Sequence, residues 1–96
     1  MKWVKYVSSE DIIRNMLSND HYRAIVRHCK NAHTASEIIQ YLQSKWPQTL
    51  PREYWERVVG DGLSSLEKAG ALMYDSGKWQ TTKNATDFLE KYFGGS

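Results

Sequence analysis

The second half of the chain, Pro51 to Phe93, leaves the fewest choices of fold. It reads PREYWERVVGDGLSSLEKAG, then ALMYDSGKWQTT, then KNATDFLEKYF. At about 100° per residue, Trp55, Val58, Val59, Gly62, Leu66 and Ala69 share one side of a helix. Glu53, Arg57, Gly60, Asp61 and Ser64 share the other. Pro51 fits the first helical position, where its missing N–H costs nothing. Gly70 stands where a left-handed C-cap is expected. Ala71 to Tyr74 and Lys78 to Thr82 read as two strands around the turn Asp75-Ser76-Gly77. Thr82 is placed to cap a last helix whose apolar face is Ala85, Phe88, Leu89 and Tyr92. A helix, a tight hairpin and a closing helix follow one another with almost no room for anything else.

Two glycines inside the long helix cost about 1 kcal/mol each relative to alanine, so they ask for a reason. Gly62 lies on the core side, where it allows close approach of another helix. Gly60 lies on the exposed side. It either admits a neighbouring backbone, such as a DNA strand, or marks a break in the helix.

The first half supplies three shorter helices. Lys2 to Val7 is apolar and basic without helical period, an arm or a short edge strand at residues 1–7. Ser8 or Ser9 caps the first helix, and Glu10 and Asp11 complement its dipole. Ile12, Ile13, Met16 and Leu17 form its stripe. Asn19 or Asp20 starts the second helix, with Tyr22, Ile25, Val26 and Cys29 at i, i+3, i+4 and i+7, while Arg23, Arg27 and Lys30 face elsewhere. Thr34-Ala35-Ser36-Glu37 is a capping box, the clearest helix start in the chain. Ile38, Ile39, Leu42 and Trp46 line the third helix, and 47–50 is a loop. Gly94-Gly95-Ser96 reads as a flexible tail, residues 94–96.

The expected architecture is one domain over residues 1–96, α+β but mainly α, in the order α-α-α-α-β-β-α. That order describes a winged helix-turn-helix. Ninety-six residues, 41% of them apolar, suffice for one core. Net charge is only +2, from 13 basic and 11 acidic residues, so the position of charge must carry any nucleic-acid argument. One cysteine, Cys29, excludes an intrachain disulfide and suits a reducing interior. No apolar run reaches the roughly 18 residues of a membrane span, and no signal-like segment opens the chain. The expected location is cytoplasmic.

The chain resembles the winged helix-turn-helix regulators, especially the ArsR- and MarR-like superfamily and its small archaeal relatives. Leu17 to Leu42 resembles the opening of such a domain, with Arg23-Ala24-Ile25-Val26 before the turn and Thr34-Ala35-Ser36-Glu37-Ile38 after it. Leu63 to Leu72 resembles the end of a recognition helix running into the wing. Thr82-Lys83-Asn84, with Phe88, Leu89 and Tyr92, resembles the Thr-x-Gly element and the helix after the wing. Two departures stand out: Ser44 to Leu50 is longer than the usual turn, and Glu53 and Glu56 repel phosphate. The resemblance implies sequence-specific binding of double-stranded DNA by a transcriptional regulator. It also implies a homodimer through the first and last helices, with Ile12, Ile13, Met16, Phe88, Leu89 and Tyr92 at the interface.

In this fold the fourth helix enters the major groove and the hairpin tip reaches the neighbouring backbone. Arg52 and Arg57 can then read guanine, and Glu53 or Glu56 can accept from cytosine. Gly60 and Ser64 continue that face. Lys78 flanks the wing tip, and Lys83 follows the wing. Thr34 and Ser36 lie at a helix N-terminus, which suits a phosphate. The plainer reading is a solvated face on which Glu53 and Arg57 pair at i, i+4. The rival function is a winged-helix module that binds another protein, which the near-neutral charge and acidic fourth helix favour.

Catalytic, cofactor and metal sites are not expected. His28, Cys29 and His33 are close in sequence, but adjacent helical residues diverge by about 100°. Cys29 falls on the apolar stripe, where a thiol lacks access and activation. No phosphate loop or HExxH is present.

Overall fold

The computed structural model describes residues 9–46 and 50–94. The arm at 1–7, a cap at Ser8, the loop at 47–49 and the tail at 95–96 lie outside the described residues. The elements are α1 (Ser9–Leu17), α2 (Asp20–His28), α3 (Ala35–Lys45), α4 (Arg52–Lys68), β1 (Leu72–Asp75), β2 (Lys78–Thr81) and α5 (Lys83–Phe93). The chain is therefore α+β and mainly helical, with one antiparallel two-stranded sheet.

Local chemistry accounts for most element ends. Asn19 caps α2, its side chain accepting from the His21 and Tyr22 amides. The Thr34–Glu37 capping box is present in both directions. At the end of α4, Ala71 N–H donates to Leu66 O and Gly70 N–H to Glu67 O, with Gly70 at φ +83°. That pair of bonds is a Schellman motif, and it consumes carbonyls that would otherwise be orphaned. Ser76 and Gly77 both have positive φ, 54° and 83°, and Asp75 pairs with Lys78 across them. A two-residue turn with both centres left-handed matches the twist of the flanking strands. Thr82 caps α5 through the Ala85 amide while its hydroxyl donates to Gly70 O, so one residue ties the end of α4 to the start of α5.

Three sequence expectations are corrected here. Pro51 is the N-cap of α4, not its first helical residue; its ψ of 159° is extended, and the helix begins at Arg52. Helix α4 runs unbroken through Gly60, which excludes the break. Gly94 belongs to the cap of α5, where it adopts φ +79°.

The core draws on every helix: Ile13 and Leu17, Ala24 to Val26, Ile38, Ile39 and Leu42, Trp55, Val59, Leu63 and Leu66, and Ala85, Phe88 and Leu89, with Cys29, Ala71 and Leu72 between them. Gly62 is buried, and a Cβ there would meet Tyr22 and Ile25 at 3.1 and 3.2 Å. The missing side chain is what lets α4 lie this close to α2. Leu63, absent from the expected stripe, is buried because α4 packs against α2, α3 and β1 together.

The hairpin docks through long-range hydrogen bonds. Thr81 N–H donates to Cys29 O at 2.8 Å. The Thr81 hydroxyl donates to Val26 O, a carbonyl in the last turn of α2. His33 and Trp79 exchange both backbone bonds, at 3.0 and 2.7 Å. His33 thus adds one antiparallel bridge to the outer side of β2.

Burial also divides the expected dimer residues. Ile13, Phe88 and Leu89 are part of this chain's own core, because α1 and α5 pack on α2 and on each other. Leu89 keeps no surface at all. Ile12 and Tyr92 are exposed, at 43% and 39%, and Met16 is half-buried. Arg14 lies over the Tyr92 ring, 5.5 Å from its centroid.

Candidate nucleic-acid interface

The exposed face of α4 carries Arg52, Glu53, Glu56, Arg57, Gly60, Asp61 and Ser64. These residues form a face because the opposite positions, Trp55, Val59, Gly62, Leu63 and Leu66, are buried. The Glu53–Arg57 pair does not form; among the described residues neither makes an ion pair. Arg52 instead pairs with Glu56 at 3.3 Å and reaches Gln43 of α3 at 3.4 Å. Glu56 therefore offsets the charge of Arg52, while Arg57 has no ion-pair partner among the described residues. Gly60 has open space where a Cβ would stand.

Thr34 and Ser36 sit at the start of α3. Thr34 is already engaged, because its hydroxyl accepts from Glu37 N–H and its own amide donates to the Glu37 carboxylate at 2.9 Å. The Glu37 carboxylate occupies the positive end of α3 that a phosphate would use. The capping bond and His33 hold its pKa below the usual carboxylate range, so it stays charged. Ser36 is exposed.

Lys78 is exposed beside the hairpin tip, near enough to Glu37 for its charge to be felt there. The His33–Trp79 bridge explains this, since it fixes the strand after Lys78 to the turn before α3. The structure thus gathers Lys78 with the start of α3. It does not gather Lys83, which opens α5 past the base of the hairpin, beyond the roughly 10 Å of strand from Lys78 to Thr81 at about 3.3 Å per residue. Lys83 pairs instead with Asp87 at 3.9 Å. Met73 and Tyr74 are exposed on the hairpin, and the Tyr74 ring meets Trp79 at 4.7 Å.

Sequence reasoning missed a stack of rings behind this surface. His28 lies between His33, at 4.0 Å and 5° from parallel, and Tyr41, at 3.9 Å and 3°. The His33 ring also contacts Glu37 at 3.2 Å. No local pattern marks this cluster, because its three rings come from the end of α2, the following turn and the middle of α3. Among the described residues no three His, Cys, Asp or Glu side chains are grouped to hold a metal ion. Cys29 is fully buried, which pushes its thiol up to about 12, far from a reactive thiolate.

The stack has a pH signature. Burial lowers the His28 pKa from its usual 6.5 and neighbouring His33 lowers it further, while Glu37 partly opposes them. A histidine with a depressed folded pKa destabilises the fold when it protonates. Its contribution is complete above about pH 6.5 and is lost as pH falls from there through the folded pKa. The urea midpoint should therefore decline through this window. His28→Phe, which keeps a ring between His33 and Tyr41, should flatten the decline. An unchanged slope in the variant would assign the effect elsewhere. Glu37 acts lower, as pH falls below 4.5.

Comparison with known proteins finds no matching protein-family model, curated protein or solved structure. Among the described residues no helix is long and apolar enough to cross a membrane.

Proposed function

We propose that this chain is a winged helix-turn-helix module of ArsR- or MarR-like type that binds duplex DNA in a sequence-specific manner and regulates transcription. The observation that carries the reading is the His33–Trp79 bridge. It holds the hairpin against the start of α3, so that the capped turn, α3, α4 and a hairpin tip carrying Lys78 beside Asp75 form one unit. The exposed α4 face supplies Arg57 beside Gly60, where a backbone can approach without obstruction. These features support a reading in which the helix meets base edges and the hairpin holds phosphate.

Arg57→Ala should weaken binding to the preferred site by ~1–3 kcal/mol, with less loss on random duplex. Lys78→Ala should weaken all sequences alike and reduce the salt slope by about one. Gel-shift titrations across a salt series read both, on sites selected from a random duplex pool. Failure to enrich any site at moderate salt would remove the DNA reading.

The rival is a protein-binding module, and two observations favour it. Arg52 is paired with Glu56, and the wing exposes Met73 and Tyr74. Replacing Glu53 and Glu56 by Gln separates the two. In a DNA reader it strengthens non-specific binding, because repulsion of phosphate is removed.

We extend the proposal to a homodimer, with a smaller seam than the sequence suggested: Ile12, Met16 and Tyr92 along the α1–α5 edge. Sedimentation at tens of micromolar should report twice the chain mass, and Ile12→Glu should return it to the monomer. A monomer in the unaltered protein rejects this seam.

A further inference from the structure

Asp20, Arg23, Ala24 and Arg27 form one side of a groove of about 270 Å³, and Tyr41 and Lys45 of α3, with Trp46 at its C-cap, form the other. Asp20 is neutralised within it by Arg23, at 2.6 Å. Arg23 also donates to Leu17 O at 2.9 Å. Two cations remain. Arg27 donates to Phe93 O at 3.0 Å, its Nε is buried with no acceptor among the described residues, and it has no carboxylate partner there. Lys45 lies over the Trp46 ring, 5.6 Å from its centroid, and likewise makes no ion pair among the described residues. A partly buried guanidinium without a counter-charge is costly, and an arriving anion offsets that cost.

We propose that this groove binds a small phosphate ester. Two unpaired cations match the charge of a phosphate monoester, about −1.5 to −2 at neutral pH. A guanidinium suits phosphate oxygens through paired N–H donors. Tyr41 and Trp46 supply aromatic surface for the organic part, so the site discriminates an ester from free phosphate. The site stands apart from the exposed face of α4, and it does not depend on the DNA reading.

Phenyl phosphate is the probe, since it joins the two features in the smallest molecule. Titrated into the full chain at pH 7 under amide NMR, it should give saturable shifts at residues 20–27 and 41–46. Inorganic phosphate should act on the same amides more weakly, and phenol should not act. Lys45→Gln removes an exposed cation that holds no other element, and it should weaken phenyl phosphate by about tenfold, as loss of a charge-assisted contact does. Arg27→Gln should weaken it at least as much, with unchanged shifts in the hairpin showing that the fold survives. The proposal is overturned if phenyl phosphate gives no saturable shift, if Lys45→Gln binds as well as the unaltered chain, or if the shifts fall outside the groove. It is also overturned if a short duplex displaces phenyl phosphate from these residues, because the groove would then be a backbone contact for nucleic acid.

Discussion

Trp55→Ala should lower the unfolding free energy by about 3–5 kcal/mol, as loss of a large buried aromatic does. The side chain is 1% exposed and sits where the start of α4 meets the end of α3 and the start of α2. His21 and Tyr54 meet it edge-on at 5.2 Å, and Trp46 lies at 6.2 Å. Removing it leaves a cavity bounded by rings that cannot collapse inward without moving three helices. Small domains have little stability to spare, so the variant should be largely unfolded at moderate urea, or at 37 °C. Urea denaturation followed by circular dichroism measures the loss. A change below about 1 kcal/mol would mean that Trp55 is not a packing centre. Trp55→Phe should fall between the two, since it keeps a ring and loses only part of the volume.

Gly62→Val should cost about 1–3 kcal/mol or more, through overpacking against α2. A Cβ at this position already meets Tyr22 Cε1 at 3.1 Å and Ile25 Cδ1 at 3.2 Å. Two further methyl groups must displace those side chains or push α4 outward. Gly62→Ala is the informative control. Alanine gains about 1 kcal/mol of helix propensity, and both contacts are with side chains, which can shift by a few tenths of an ångström. The two effects should nearly cancel, giving a midpoint close to the original. At Gly60, where nothing stands within 4 Å, alanine should stabilise by about the full propensity difference. If Gly62→Ala and Gly60→Ala stabilise equally, the close approach of α4 to α2 is refuted. Because neither change alters charge, a loss of DNA binding confined to Gly60→Ala would point to a close backbone approach at that position.

The candidate surface was only partly legible in the sequence. Exposure of Arg52, Glu53, Glu56, Arg57, Gly60 and Ser64 follows from helical period and is found. Pairing was not legible, because the helix offers two i,i+4 pairs, Arg52–Glu56 and Glu53–Arg57, and the first forms with Gln43 of α3 alongside Arg52. Thr34 was legible as a cap but not as a residue whose cap takes the place of a phosphate. Lys83 follows the hairpin in sequence, yet an extended strand carries it to the end opposite the tip.

The sequence by itself determined several element ends, though not the start of α4 at Pro51 or the end of α5 at Gly94. Asn19, the Thr34–Glu37 box, Thr82, the left-handed Gly70 and the Ser76-Gly77 turn each act within a few residues of themselves. Their bonds form wherever the local chain adopts the right angles, so their signals survive without any knowledge of the rest. Helical period placed most of the core, and the tertiary structure decided the remainder at the edges of each stripe. Ile12 and Ile13 are neighbours of the same type, yet Ile12 is 43% exposed and Ile13 is 8% exposed. It also decided the contacts that build the surfaces: Arg27 with Phe93 across 66 residues, Thr81 with Val26 across 55, and His33 with Trp79. Such contacts depend on where whole helices lie, and a helix is placed by the summed packing of its buried face, which no short stretch of sequence encodes.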